Sequence, residues 1–257
     1  MERVKTGIEG LDEMLHGGFL PCTANLVEGA PGTGKTTFGM QFIFNGITMY
    51  NEPGLIVTFE EFPQQYYRDA QTFGWDFREL ERQNKLKVIM TSPEVTRQDL
   101  QNVGGVIETY VREMGAKRIL VDSISHFRRL SVDPIKLRDL EYSFINGLKR
   151  EGLTSVLTRE SSALFGDAIH YDDHIAFTVD SYLLLRYVEI ESTVNRALLV
   201  LKIRGSDHAK DIRQFEVTPT GIVVKTKFEG HEGIMSGSPH RMESAFMKAF
   251  VDNKGRR

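Results

Sequence analysis

The sequence predicts an α/β protein in which helices cover both faces of a mostly parallel central sheet, with an antiparallel extension toward the C-terminus. Three observations support this fold class. Apolar runs rich in Val, Ile and Leu alternate with helical patterns through the first 160 residues. These runs are apolar on both faces, as in a buried parallel sheet. From about residue 181, strand patterns follow one another through short connections.

Five strand patterns and four helix patterns make up the first part of the chain. The strand patterns are residues 24–29, 54–60, 85–91, 117–123 and 154–160, each a short run of apolar residues. The helix patterns are residues 35–49, 64–73, 97–114 and 134–150. Because a helix pattern separates each strand from the next, we expect parallel strands joined by helical crossovers.

The last part of the chain predicts antiparallel strands that extend the same sheet. The patterns are SYLLLRYVEI, RALLVLKIR, RQFEVT and GIVVKT. The sequence has no internal repeat and no linker before about residue 228. We therefore interpret residues 1–235 as a single domain. Residues 236–257, in a segment rich in Gly, Ser and Met, are a candidate mobile C-terminal tail.

The overall composition is that of a globular protein. The chain has 257 residues, 40% of them hydrophobic, and a formal net charge of −3. Its interspersed charges give no overall attraction to nucleic acid or anionic lipid. One cysteine, Cys22, excludes an intramolecular disulfide, and we expect it to be a small buried residue. We find no signal peptide and no apolar run of membrane-spanning length, which favours a cytoplasmic location without a membrane partner.

Residues 29–37, GAPGTGKTT, contain a phosphate-binding loop. The pattern G-x-x-x-x-G-K-[ST] directly follows a predicted strand and directly precedes a predicted helix, which is the context the motif requires. Glycines let main-chain N–H groups close around phosphate oxygens, and the lysine neutralises them. We therefore predict ATP as the ligand, with Mg²⁺. The predicted contacts are Gly29, Gly32, Thr33, Gly34, Lys35, Thr36 and Thr37.

Carboxylates for the metal and for catalysis follow two of the predicted strands. The Thr36 hydroxyl would ligate Mg²⁺ directly, and Asp122, at the end of RILVD, would support it through water. Glu60 and Glu61 lie at the carboxyl end of the pattern GLIVTFE, Glu60 as its last residue and Glu61 directly after it. Since strand side chains alternate, only one of the two would share the face of Thr58. We expect Glu60 to activate water beside the metal and Glu61 to assist it; the alternative is a solvated acidic pair before a helix.

Six segments of the sequence resemble the KaiC-like branch of the RecA superfamily. In order they are TGIEGLDEMLHGG, GAPGTGKTTFGMQFIFNG, EPGLIVTFEE, FGWD, VDSIS and LKIRGSDHAKDIRQFEV. The resemblance extends from about residue 3 to about residue 242 and is strongest to the second of the two tandem halves of the family's circadian clock protein. It implies a RecA-like P-loop NTPase core that assembles into a homo-oligomeric ring of six, with ATP at each subunit boundary. A regulatory partner protein would fit such a switch.

The resemblance also gives a role to the segment LKIRGSDHAK. Lys202 and Arg204 lie two residues apart and point to the same side of a strand. In the family, the matching cations reach the γ-phosphate bound by the neighbouring subunit, as an arginine finger does. Ser206, His208 and Lys210 match positions that approach the base and ribose. The alternative is an edge strand whose solvated cations prevent aggregation.

The sequence departs from the family pattern at the autophosphorylation site. The family's clock protein carries adjacent Ser and Thr acceptors after a His-Ile pair, whereas His174 and Ile175 are followed here by Ala176 and Phe177. Neither residue has a hydroxyl group, so neither can accept a phosphoryl group. An autokinase that uses a different hydroxyl, such as that of Thr178, stays open.

Two other function classes also stay open. A recombinase-like ATPase would bind single-stranded DNA, but residues 161–180 contain no Lys or Arg and four Asp, which repel phosphate. Arg128 and Arg129 leave weak DNA binding possible, although we expect no nucleic-acid partner. The other class is a nucleotide-gated interaction module whose partner reads the shape of the ring, for which residues 228–257 offer a surface.

Overall fold

A nine-stranded sheet forms the centre of the molecule. The computed structural model describes residues 2–101, 105–161 and 174–228, and two short strands, His231–Glu232 (β10) and His240–Arg241 (β11). The strands of the large sheet are β1 (Ala24–Gly29), β2 (Gly54–Thr58), β3 (Leu86–Met90), β4 (Arg118–Asp122), β5 (Thr154–Glu160), β6 (Ser181–Ile190), β7 (Thr193–Ile203), β8 (Arg213–Thr218) and β9 (Gly221–Lys227). Their order across the sheet is β3-β2-β4-β5-β1-β6-β7-β8-β9. The strands from β3 to β6 are parallel and those from β6 to β9 are antiparallel, which confirms the predicted fold class.

Helices connect the parallel strands. A short helix, α1 (Leu11–Met14), precedes β1. The connecting helices are α2 (Lys35–Tyr50), α3 (Pro63–Thr72), α4 (Phe77–Arg82), α5 (Pro93–Gln101), α6 (Val106–Met114), α7 (Pro134–Arg150) and α8 (His174–Thr178), with a 3₁₀ helix at Ile124–Arg129. Local sequence explains several of their boundaries. The Asp133 carboxylate caps α7 by accepting a hydrogen bond from Ile135 N at 2.9 Å, and Pro134 occupies the first helical position.

The sheet separates two apolar layers. Along β4, Ile119 and Val121 pack in one core cluster, whereas Leu120 between them packs in the other. The first cluster includes Phe144 of α7, and the second includes Phe42 of α2. Because successive strand residues point to opposite faces, this division shows that helices cover both sides of the sheet.

Two glycines of helix α2 let the helix pack closely against side chains of β4. A Cβ atom at Gly39 would lie 2.3 Å from Leu120 Cδ1, and one at Gly46 would lie 2.4 Å from Arg118 Cδ. Neither glycine could therefore become alanine without movement of a buried neighbour. The buried Arg118 guanidinium lies in this gap, where it pairs with Glu52 and donates to the Phe42 carbonyl oxygen at 3.0 Å.

The structure corrects three local expectations. The helix pattern 97–114 forms two helices, α5 and α6, because Gly105 adopts an extended conformation and the Asp99 carboxylate caps α6 by accepting from Ile107 N at 2.8 Å. Strand β2 ends at Thr58, two residues early. Cys22 is exposed, on a turn with φ of 54°, rather than buried.

The predicted domain boundary lies in the part of the chain that the structure does not describe. The candidate tail, residues 236–257, is outside the described residues except for β11. Most of the loop 161–180, on which the argument against DNA binding depends, is also outside them. The interpretation of residues 1–235 as a single domain therefore stays a prediction.

Candidate functional site

The phosphate-binding motif forms the connection between β1 and α2. Strand β1 ends at Gly29 and α2 begins at Lys35. Gly32 and Gly34 have φ values of 76° and 106°, in the region that favours glycine. A Cβ atom at Gly29 would lie 2.6 Å from Thr33 Oγ1. The backbone of this loop therefore requires its three glycines, and α2 directs its N-terminal N–H groups at the space that the loop encloses.

Lys35 lies almost buried inside this loop. Its ammonium group donates a hydrogen bond to the Ala30 carbonyl oxygen at 3.0 Å. Burial lowers the pKa of Lys35 below the usual lysine value, and the nearby carboxylates of Glu160 and Asp122 partly offset this effect. An anion within the loop would favour the charged form of Lys35 further.

Asp122 is the centre of a hydroxyl network beside the phosphate loop. It is the last residue of β4, as predicted. Thr36 Oγ1 and the Tyr66 hydroxyl each donate to Asp122 Oδ2 at 2.8 Å, and Thr158 Oγ1 donates to Asp122 Oδ1. Burial raises the pKa of Tyr66, so its hydroxyl remains a protonated donor. The three hydroxyl groups hold the carboxylate close to the first turn of α2.

Glu60 and Glu61 both border a small polar cavity next to this network. The cavity has a volume of about 90 Å³, and its lining residues are Thr36, Thr58, Glu60, Glu61, Tyr66, Asp122, Ser123, His126 and Glu160. The expectation that only one glutamate would share the side of Thr58 is wrong. Because β2 ends at Thr58, the alternation of a strand does not extend to residues 60 and 61. Partial burial and the Asp122 carboxylate raise the pKa of Glu61 above the usual glutamate value.

Lys202 and Arg204 lie at the opposite edge of the sheet from the phosphate loop. Arg204 N donates to the Asp180 carbonyl oxygen at 2.8 Å, and Asp180 N donates to the carbonyl oxygen of Ala24, the first residue of β1, also at 2.8 Å. Gly29 is the last residue of the same strand, which at 3.3 Å per residue places it roughly 16 Å away along the strand. This distance is longer than an arginine side chain can reach.

The side chains of both cations donate hydrogen bonds to backbone carbonyl oxygens of helix α8. Lys202 Nζ donates to the Ala176 carbonyl oxygen, and Arg204 Nη2 donates to the Phe177 carbonyl oxygen. The two side chains therefore lie on the same side, next to each other. Burial, and then the adjacent Arg204, lower the pKa of Lys202.

Ser206, His208 and Lys210 follow Arg204 on the same edge of the sheet. Lys210 Nζ pairs with Asp207 Oδ1 at 2.7 Å, and Ser206 Oγ accepts a hydrogen bond from Arg3. The predicted site residues thus form two groups. The phosphate loop, Asp122 and the two glutamates lie at one edge of the sheet, and the residues from 202 to 210 lie at the other.

The sequence as a whole matches a known family. The model of the KaiC ATPase family matches residues 4–229. The chain belongs to the KaiC family of ATPases. It is 35% identical over 260 residues to the circadian clock oscillator protein KaiC of a Nostoc species, which covers 98% of this chain and 49% of the relative. It is 36% identical over 240 residues to that of Synechococcus elongatus, with 93% and 46% covered. The circadian clock protein KaiC3 of a Synechocystis species is 35% identical over 237 residues, with 92% and 46% covered.

This member of the KaiC family spans about half the length of the curated relatives it matches. Family membership agrees with the observed α/β sheet and with a nucleotide-binding loop between β1 and α2. Within the described part of the chain, no helix has both the length and the apolar character needed to cross a membrane.

The oxygen donors at the phosphate-loop edge of this KaiC-family domain suit Mg²⁺. Thr36 supplies a hydroxyl and Asp122 a carboxylate on adjacent elements, and Mg²⁺ prefers such oxygen ligands. Among the described residues, no group of three or more His, Cys, Asp or Glu residues could hold a metal by itself. An ion held by Thr36 and Asp122 would take its remaining ligands from nucleotide phosphates and water.

Several residues near this site were missed from the sequence. Thr158 and Tyr66 donate to Asp122, His126 lies beside Glu60, and Arg196 Nη2 lies 3.5 Å from the Gly32 carbonyl oxygen. None belongs to a motif, and each reaches the site through strand pairing or helix packing. Thr158, two residues before the end of β5, could have been found only if β5 had been known to lie beside β4.

Proposed function

We propose that this chain is an Mg²⁺-dependent ATPase that assembles into a ring, six-membered in our expectation. Each nucleotide would be bound by the phosphate loop of one protomer and reached by Lys202 and Arg204 of the next. The observation that carries this proposal is the separation of the two groups by the length of β1. In such a ring, nucleotide state and assembly are coupled, which suits a regulatory switch with a protein partner.

The phosphate-loop edge would bind ATP. The main-chain N–H groups of the loop and of the first turn of α2 would donate to the phosphate oxygens, and Lys35 would exchange its hydrogen bond with the Ala30 carbonyl oxygen for one with phosphate. The ion neutralises charge on the β- and γ-phosphates when bound. Thr36 would be its direct ligand, and Asp122 would hold it through water. Thr33 and Thr37 complete the proposed contacts of the loop.

Glu60 would orient the attacking water and take its proton. A general base must come within hydrogen-bonding distance of that water, and Glu60 and Thr36 line the same cavity. Glu61 is the weaker candidate for the base, because partial burial and Asp122 stabilise its protonated form. We assign it an assisting role.

The cations of the neighbouring protomer would complete the site. A fixed positive charge at the γ-phosphate stabilises charge that develops during phosphoryl transfer. Lys202 and Arg204 are held side by side on α8, at the edge far from their own phosphate loop. Ser206, His208 and Lys210 lie on the same edge and would contact the base and ribose of the same nucleotide.

The substitution Glu60→Gln tests the hydrolytic assignment. We expect the variant to bind ATP with near wild-type affinity and to hydrolyse it at least about a hundredfold more slowly, because glutamine cannot accept the proton. Phosphate release and binding of a fluorescent ATP analogue measure the two quantities. A rate near that of the wild type would rule out Glu60 as the base.

Light scattering during size exclusion tests the assembly. We expect a ring in the presence of ATP and Mg²⁺, and a hydrolysis rate per protomer that rises steeply with protein concentration. A protein that stays monomeric at saturating ATP and still hydrolyses it at full rate would contradict the ring.

Ala176 and Phe177 have no hydroxyl group, but a hydroxyl elsewhere in the chain could accept phosphate. Measurement of the intact mass after incubation with ATP tests this.

One observation favours a second candidate, weak DNA binding. Three arginines, Arg128, Arg138 and Arg159, border a cavity of about 360 Å³ between the 3₁₀ helix and α7. A gel shift with labelled single strands at low salt, with and without ATP, tests this alternative. Strong binding that salt abolishes would favour a recombinase-like function.

A further inference from the structure

We propose that His126 is a positioning residue for Glu60 and holds its carboxylate at the cavity that Thr36 and Asp122 line. This inference rests on the proposed role of Glu60 in hydrolysis. His126 belongs to the 3₁₀ helix that follows β4 and borders the same cavity as Glu60. Nothing in its sequence pattern indicates a catalytic function.

The contact joins a loosely held side chain to a firmly held one. His126 Nε2 lies 3.2 Å from Glu60 Oε2. The Glu60 side chain is 66% exposed, whereas that of His126 is only 11% exposed. A glutamate with this much exposure has several rotamers available, and a hydrogen bond donated by an Nε2–H group at this distance would restrict them. His126 is therefore the partner that determines where the Glu60 carboxylate lies.

The surroundings of His126 explain why its ring is fixed. Its backbone N–H donates to the Ser123 carbonyl oxygen at 3.2 Å. The Phe59 ring packs edge-on against the imidazole, with centroids 6.2 Å apart and planes at 70°. Phe59 also packs on Phe127, with centroids 6.0 Å apart. These are two of the contacts between the 3₁₀ helix and the segment that follows β2.

Two successive residues thus connect the same pair of segments. Phe59 contacts Phe127, and Glu60 contacts His126, so the 3₁₀ helix and the end of β2 are held in register. The Phe59 N–H also donates to the Asp122 carbonyl oxygen at 3.2 Å. The proposed base is therefore placed relative to the proposed metal-binding carboxylate by the backbone and by His126 together.

Loss of the His126 donor should affect the chemical step more than ATP binding. Misplacement of a catalytic group by about 1 Å can cost up to a hundredfold in rate. We expect His126→Ala to lower kcat at least about tenfold, with KM for ATP changed little. The hydrogen bonds described above for Lys35, Thr36 and Asp122 have partners other than His126.

Two further variants separate hydrogen bonding from packing. Gln places an amide nitrogen close to the position of the histidine Nε2, so His126→Gln should recover most of the lost kcat. Phe preserves the contact with Phe59 but has no donor, so His126→Phe should be as slow as His126→Ala. Recovery with Phe and not with Gln would show that His126 acts by packing alone, and the proposal would be overturned.

The double variant of Glu60→Gln and His126→Ala separates this inference from the proposed function. If His126 acts through Glu60, the double variant is no slower than Glu60→Gln alone. If Glu60→Gln is slow but His126→Ala keeps the wild-type kcat, the positioning role is refuted and the role of Glu60 stands. If Glu60→Gln itself hydrolyses ATP at the wild-type rate, the proposed function fails first. A fall in kcat for His126→Ala that adds to that of Glu60→Gln would also overturn the proposal.

Discussion

Two inactive variants should restore activity to each other when they are mixed. Glu60→Gln removes the proposed base but leaves the cations of the same chain intact. The double variant Lys202→Ala, Arg204→Ala removes the cations but leaves the base intact. A boundary between one copy of each, with the cation variant binding the nucleotide and the Glu60→Gln variant lending its cations, has a complete set of residues.

The size of the recovery follows from the arrangement of the two groups. Because they lie at opposite edges of one sheet, each boundary takes one group from each protomer, as in a head-to-tail ring. In a random equal mixture, half of the protomers offer an intact base and half of their neighbours offer intact cations. About a quarter of the boundaries are therefore complete, and we expect about a quarter of the wild-type rate per protomer, whatever the number of protomers in the ring.

The assay is phosphate release across a series of mixing ratios. Subunits are exchanged without nucleotide before ATP and Mg²⁺ are added, and energy transfer between labelled protomers shows that exchange has occurred. The rate should be greatest at equal amounts and should fall to background toward either pure variant. If exchange is seen and every mixture is as inactive as its components, the cations act within their own chain and the proposed boundary is wrong.

Three further predictions concern residues that support the site. Thr158→Val removes a hydroxyl that donates to Asp122, and we expect it to raise the Mg²⁺ concentration for half-maximal hydrolysis about tenfold at fixed ATP. Arg118→Met leaves Glu52 without its buried partner and should lower the free energy of unfolding by about 3 kcal/mol, measured in urea, because Glu52 keeps partial access to water. Gly39→Ala should lower it by about 1–3 kcal/mol, although alanine is the better helix former, because its Cβ would meet a buried side chain. An unchanged Mg²⁺ requirement in Thr158→Val would contradict the first prediction. A loss of less than about 1 kcal/mol in the free energy of unfolding of Arg118→Met would contradict the second, and a gain in stability of Gly39→Ala would contradict the third.

The sequence was sufficient where one segment determines its own structure. The alternation of apolar runs and helices predicted a parallel sheet, and the loop from Gly29 to Thr36 has the strand-loop-helix setting that its motif requires. Asp122 could be located because it ends an apolar strand. For the loop and for Asp122 the signal lies within one strand and the residues beside it, and the alternation requires only the order of such segments along the chain.

The sequence was insufficient where the outcome depends on distant segments. Asp122 accepts hydrogen bonds from the hydroxyl groups of Tyr66 and Thr158, which lie 56 and 36 positions away in the sequence. No local pattern indicates either donor. The alternation argument for Glu60 and Glu61 failed because β2 ends at Thr58, where Thr58 Oγ1 accepts from both glutamate N–H groups and turns the chain. Side-chain hydrogen bonds of this kind end strands without a strong change in composition.

The positions of the two groups also bear on why hydrolysis should depend on assembly. Strand β1 connects them, with Ala24 at the cation edge and Gly29 at the phosphate edge. A buried strand of a packed sheet cannot bend enough to bring its two ends together. No local movement of Lys202 or Arg204 can therefore complete the site of an isolated protomer. If the cations act at the γ-phosphate at all, a second copy must supply them, and the bound nucleotide then links two protomers for as long as its terminal phosphate remains.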